Sequence, residues 1–258
     1  MSSSTVSTEP ASGRGWALVT GAGRRIGAAL AMAAGEAGFD VVVHTHHPDD
    51  AAAEVVGRIE ALGRQAAAMA ADLADPAACA SLIADAPSPL TLLVNSASVF
   101  APDDAQGLEA AAFDMAVAIN LRAPVLLASA MARALPKGVA GHIVNILDQR
   151  VWRLTPLYFS YTLSKSALWT ATQTLAQGLA PAVRVNAIGP GPTLASIHQS
   201  AEGFAAQAAA APLGAGPTPQ DIAAALTYLI DARSVTGQMI AVDGGQHLAW
   251  RTPDVAHD

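Results

Sequence analysis

Short apolar runs alternate along this chain with alanine-rich segments whose apolar residues recur at helical spacing, and no other feature constrains the fold as much. Trp16–Thr20, Val41–His44, Gln65–Ala71, Leu90–Asn95, Ile143–Leu147, Val183–Ile188 and Gln238–Val242 read as strands. Helical patterns run from a glycine turn to about Ala37, then over Ala51–Leu62, Glu109–Leu135, Tyr158–Leu179 and Asp221–Ile230. Such alternation predicts an α/β fold with a parallel sheet covered on both faces. Residues 15–250 are expected to form one domain, between a polar tail over 1–14 and a short tail over 251–258. The Ala/Gly/Pro-rich excursion at about 190–219 is the long break in the pattern, and it is expected to be a substrate lid.

Composition removes several function classes. Hydrophobic residues make up 52% and charged residues 14%, far from a disordered composition, and a net charge of −7 argues against a nucleic-acid partner. No uncharged apolar run approaches the length of a membrane span, and Met1–Gly15 lacks the apolar region of a secretion signal. The single cysteine, Cys79, excludes an internal disulfide and reads as a small core residue. These readings place the protein in the cytoplasm, with a small-molecule partner and no membrane.

Thr20-Gly-Ala-Gly-Arg-Arg-Ile-Gly27 follows the first strand and opens a helix. In that context backbone N–H groups and the helix N-terminus face a pyrophosphate, so Gly21, Arg24, Arg25, Ile26 and Gly27 are candidate cofactor residues. An ordinary strand–helix connection is the alternative. The second strand ends in His44-Thr-His-His47, without an acid to bind a ribose 2′-hydroxyl. That absence and Arg24 favour NADPH; Asp49 and Asp50 follow closely and keep NADH possible. His44 and His46 are expected at the adenosine end, and no metal is expected, because successive strand residues point to opposite faces. Asp72, with Leu73, suits an adenine amino group.

Tyr161 and Lys165 are four residues apart, so a helix places them on one face. A unit charge about 4 Å away, at an effective dielectric of about 20, is worth roughly 4 kcal/mol, or about three pK units. An ammonium there would bring a phenol toward neutral pH. The spacing alone equally fits a surface pair with no task.

With these pieces together the chain resembles the short-chain dehydrogenase/reductase family. The matching motifs are Thr20–Gly27, Asp72-Leu73, Asn95-Ser-Ala97, Asn120 in a long helix, Tyr161-x-x-x-Lys165, Pro190-Gly191 and Asp243-Gly-Gly245, covering roughly residues 16–247. The resemblance implies a Rossmann-type doubly wound sheet of about seven strands, a nicotinamide cofactor and usually a homotetramer. It implies Tyr161 as acid/base, Lys165 binding the nicotinamide ribose and lowering the tyrosine pKa, and Asn120 holding a relay water. Asn95, Ala97, Pro190 and Gly191 join the cofactor set.

Three departures narrow the reading. Arg25 stands where the family usually has glycine, Asn95-Ser-Ala-Ser98 where it has Asn-Asn-Ala-Gly, and Asp148, thirteen residues before Tyr161, where it has serine. All three resemble the pteridine reductase and dihydromonapterin reductase branch. There the arginine reaches cofactor phosphate and pterin, and a Ser-x-Phe pair, here Ser98 and Phe100, places a ring over the substrate. The chemistry agrees: a carboxylate cannot donate to a ketone oxygen, but it can accept from ring and amino N–H groups and help protonate the nitrogen of a C=N bond. A core role for Phe100 and a helix cap for Asp148 are the structural alternatives. The expected function is NADPH-dependent reduction of a pterin-like heterocycle, with Arg25, Ser98, Phe100, Asp148 and Tyr161 at the substrate. A carbonyl reductase or alcohol dehydrogenase, and a non-catalytic nucleotide sensor, are the rivals.

Overall fold

Strands β1 (Trp16–Val19), β2 (Asp40–Thr45), β3 (Ala66–Ala70), β4 (Leu90–Asn95), β5 (Gly141–Ile146), β6 (Val183–Pro190) and β7 (Met239–Val242) form one parallel sheet in the order β3-β2-β1-β4-β5-β6-β7. The computed structural model describes residues 13–196 and 199–250; most of the expected N-terminal tail and all of the tail over 251–258 lie outside them. Strand order reverses between β1 and β4, which opens a crevice at their carboxyl ends.

Alternate residues of each central strand feed two cores. Ala17, Val19, Val41, Val43, Leu92 and Val94 face one side, where α1 (Arg25–Glu36), α2 (Asp50–Glu60) and α8 (Pro219–Asp231) contribute Leu30, Ile59 and Leu226. Leu18, Val42, Leu93 and Ile143 face the other, against Leu82 of α3 (Pro76–Ala84) and Leu127 and Met131 of α5 (Ala123–Ala134). Burying a side chain of this size is worth about 1.5–3 kcal/mol, so both faces must be covered and the strands read as continuous apolar runs. Cys79 is 1% exposed in the second core.

The long helix expected over Glu109–Leu135 is broken. α4 (Ala110–Val117) passes through a π turn at Ala118–Arg122 into α5. Pro124 has no N–H to offer the carbonyl four residues earlier, which is that of Asn120, and the chain instead pairs Ala123 N with Ala118 O. By length and composition Ala110–Ala134 could cross a membrane; Asp114, Arg122 and Arg133 interrupt it, and α3, α6 (Phe159–Leu179), β4 and β5 pack against it. The excursion after β6 also differs from a plain loop, because it carries α7 (Ala201–Ala209) with Ser200 as its cap.

Candidate active site

The glycine turn is built by close approach. Thr20 Oγ1 accepts from the backbone N–H groups of Ser96 (2.9 Å) and Ala97 (3.0 Å), tying the end of β1 to the end of β4. Gly21 has φ +66°, and a Cβ there would lie 2.9 Å from Ala97 Cα. A Cβ on Gly27 would sit 2.0 Å from Gly21 O, so only glycine lets α1 start this close to the turn. Between these walls lies a cleft of about 580 Å³ lined by Gly21, Arg24, Arg25, Ile26, Gly27, His44, His46, Asp72, Leu73 and Ala97. The donors and the room suit a dinucleotide.

Three side chains in this region are engaged by residues distant in sequence. His44 is buried: its Nδ1 accepts from Gly21 N (3.3 Å) and its Nε2 donates to Ala71 O (3.1 Å). Burial lowers its pKa to about 4, so it is a neutral strut under the turn with both nitrogens committed. Asn95 is 2% exposed, and its amide donates to Asn145 Oδ1 at 2.8 Å across β4 and β5; it supports the cleft from beneath and does not line it. Arg24 is paired with Asp49 Oδ2 at 2.6 Å, and Asp49 also caps α2 through Ala52 N. His46 and Asp72 remain at the rim, 3.8 Å apart.

Arg25 explains why glycine is usual at its position. Its φ is +55°, a left-handed conformation that costs a side-chain-bearing residue about 1–2 kcal/mol. From there Nη2 reaches Leu194 O (3.2 Å) and Ala195 O (3.0 Å), pinning the excursion to the phosphate turn.

Asp148 and Tyr161 meet. Tyr161 Oη donates to Asp148 Oδ2 at 3.0 Å, while Asp148 Oδ1 accepts from Arg150 N at 2.8 Å and caps the 3-10 turn Gln149–Val151. The cap and the partner of tyrosine are therefore the same carboxylate. Burial raises the Asp148 pKa from its ordinary value, against the lowering effects of the Arg150 N–H and charge. Lys165 Nζ donates to Ile146 O at 2.8 Å and lies 5.7 Å from the Tyr161 ring centre; burial lowers its pKa to about 8. The expected depression of the phenol by Lys165 is reversed here: burial first, then the Asp148 charge, holds the Tyr161 proton well above its ordinary pKa.

Asn120 is completely buried, with its side chain fully committed. Its Oδ1 accepts from Ser98 Oγ (3.0 Å) and Val99 N (2.9 Å), and its Nδ2 donates to Val99 O (3.0 Å) and Ser164 Oγ (3.1 Å). What the π turn releases is the Asn120 carbonyl.

On the substrate side a cavity of about 550 Å³ brings together Arg25, Ser98, Phe100, Asp148, Tyr161, Lys165, Pro190 and Gly191. Gly191 is required there, since a Cβ would lie 2.6 Å from Asp243 Cα, which links the Pro190-Gly191 and Asp243-Gly-Gly245 motifs. Among the lining residues to which the sequence assigns no role are Tyr158 and Arg150. Tyr158 stacks on Phe100 (ring centres 4.1 Å apart, 9° between planes), so one face of Phe100 is already covered; the Tyr161 ring meets Phe100 edge-on at 4.7 Å. Arg150 lies over both, 5.0 Å from the Tyr158 centre and 5.8 Å from that of Phe100. Outside the cavity, Asp103 accepts from Ser160 N at 3.2 Å and from the Ser160 hydroxyl, clamping the loop that bears Phe100 to the start of α6. In the sequence the signals for Tyr158 and Arg150 are their places, three residues before Tyr161 and two after Asp148.

A cleft suited to a dinucleotide adjoins, through Arg25, Ile26, Ser96 and Ser98, a cavity that holds a tyrosine, a lysine and a carboxylate, an arrangement of the Rossmann redox class. The family model described as enoyl-(acyl carrier protein) reductase matches residues 21–247, and the chain belongs to the short-chain dehydrogenase/reductase family; it is an oxidoreductase. A solved structure of FolM alternative dihydrofolate reductase 1 from Brucella suis, in complex with NADP, is similar at 48% identity and TM-score 0.89 over 93% of this chain and 98% of that one. An uncharacterized oxidoreductase of Mycobacterium tuberculosis is 36% identical, covering 89% of this chain and 90% of its own. L-xylulose reductase of Bos taurus is 32% identical, covering 89% and 95%.

Proposed function

We propose that this chain is an NADPH-dependent reductase of a C=N bond in a pterin-like substrate, a dihydropterin or dihydrofolate. The observation that carries the reading is the Asp148–Tyr161 hydrogen bond in a cavity that also holds Arg25, Ser98 and Phe100. The likeness to the Brucella suis reductase supports it.

Gly21, Ile26, Gly27 and Ala97 form the walls that would hold the dinucleotide, Arg24 and Arg25 meet its phosphates, and His46 and Asp72 border the adenosine. Bound there, a reduced nicotinamide supplies hydride. The protein's residues manage the proton. Asp148, whose proton affinity burial raises, is placed to pass a proton to the ring nitrogen, and Tyr161 restores it along their hydrogen bond. Lys165 binds the nicotinamide ribose, and a water on the Asn120 carbonyl connects the relay to solvent. Phe100 and Tyr158 provide the apolar surface for a flat heterocycle.

The homotetramer and the cytoplasmic location belong to this proposal; the partly exposed Leu126 and Leu163 on α5 and α6 offer apolar surface to a second copy. A carbonyl reductase remains the second reading, because Tyr161 keeps a proton that could go to a ketone oxygen. A thermal-shift screen with NADPH, NADH, pterins and folates tests the reading. NADPH and the pterin set should raise the melting temperature together. Stabilisation by NADH and simple ketones alone would reject it.

A further inference from the structure

Arg150 is the charged residue of the substrate cavity for which neither the cofactor nor the proton relay has a use. The cavity is lined by Arg25, Arg150 and Lys165 against one acid, Asp148, in a chain of net charge −7. Lys165 donates to Ile146 O and has the nicotinamide ribose to bind, and Arg25, whose Nη2 holds the carbonyls of Leu194 and Ala195, has the phosphate turn and the ring of the substrate to serve. Arg150 is different: among the described residues its guanidinium donates one hydrogen bond, from Nη1 to Thr155 Oγ1 at 3.0 Å. Its Nε stands 4.0 Å from Asp148 Oδ1, beyond hydrogen-bond reach, and its side chain is only 16% exposed. Most of its five N–H donors thus have no hydrogen-bond partner among the described residues and stand free at the cavity wall, where an acceptor on a ligand can meet them.

The group is also held in place. The backbone N of Arg150 is fixed by Asp148, its Nη1 by Thr155, and its guanidinium lies over the rings of Tyr158 and Phe100. A fixed guanidinium presents a planar pair of N–H donors, which matches the two oxygens of a carboxylate. It does not line the dinucleotide cleft, so the acceptor is on the substrate.

We propose that Arg150 selects among the substrates of this site by receiving a carboxylate carried outside the ring that is reduced. The enzyme then prefers folate-type substrates, with a carboxylate-bearing tail, over dihydropterins without one. This rests on the pterin reading above and deepens it.

The test measures dissociation constants of dihydrofolate and of 6-methyl-7,8-dihydropterin on the NADP-loaded protein, by calorimetry, for the wild type, Arg150→Met and Arg150→Lys. The wild type should bind the tailed ligand more tightly. Arg150→Met should reduce that preference at least about tenfold, the scale of a lost charged hydrogen bond, with Arg150→Lys between the two. A preference that stays within about twofold of wild type in both variants, or a wild type with no preference, overturns the proposal. Turnover of the same two ligands separates the two claims: binding with the predicted preference but without reduction counts against C=N reduction and leaves Arg150 in its role. A wild type that binds neither ligand overturns both.

Discussion

Tyr161 Oη donates to Asp148 Oδ2 across 3.0 Å, and burial raises the proton affinity of both groups. The pair therefore holds a proton between two oxygens inside the cavity, next to the place where a ring nitrogen would receive it. Asp148→Ser keeps a hydroxyl near Tyr161 but removes the carboxyl. Steady-state kinetics should show dihydropterin reduction falling at least about 100-fold, the ordinary scale of a positioned proton-transfer group. An unchanged rate would take Asp148 out of the mechanism.

Lys165 gives a stability signature. Burial lowers its pKa from 10.5 to about 8, so the folded protein sheds this proton before the unfolded chain does. Between about pH 8 and 10.5 the unfolded chain binds more protons, and the Lys165 contribution to stability rises with pH; below pH 8 its burial is a penalty. Urea titrations of wild type and Lys165→Met should therefore show the difference between them shifting in favour of wild type over this interval, by about 2–3 kcal/mol. A difference that stays flat would place the lysine in contact with water.

Backbone strain at Arg25 separates two variants that both lose the guanidinium. With φ +55°, Arg25→Gly should be more stable than Arg25→Ala by about 1 kcal/mol in equilibrium unfolding. Both should bind substrate poorly. Equal stability of the two would mean that the left-handed conformation is not retained.

Gly27→Ala tests the wall of the dinucleotide cleft. The added methyl would meet Gly21 O at 2.0 Å, so α1 must move away from the turn. Fluorescence titration with NADPH should show affinity falling at least about tenfold, together with a stability loss of about 1–3 kcal/mol. Normal NADPH affinity would show that the turn does not hold the phosphates.

Much of this arrangement was legible in the chain itself, because it depends on local pattern. Apolar strands, the strand–turn–helix around Gly21, and the register of Asp148 with Tyr161 are all readable along one dimension. Features that depend on what lies across the fold were not. Asn95 shares a motif with cofactor-binding residues, yet its partner is Asn145 on the neighbouring strand. His44 and Arg24 looked free for the cofactor, while Ala71 and Asp49, distant in sequence, engage them. The Asn120 π turn had a local cause in Pro124, whose missing donor could have been counted four residues back. Sequence spacing shows only the Lys165 charge beside Tyr161, while the fold adds burial and Asp148, both of which raise the phenol pKa.

An aspartate beside the tyrosine implies a nitrogen heterocycle as substrate, not a ketone. Purified protein with NADPH, offered dihydropterins, dihydrofolate and a panel of simple ketones, with absorbance followed at the cofactor band, addresses it directly. Oxidation of NADPH with the dihydropterins and dihydrofolate, and little or none with the ketones, is the predicted result. Turnover of ketones or alcohols alone would contradict it and return Asp148 to a purely structural cap.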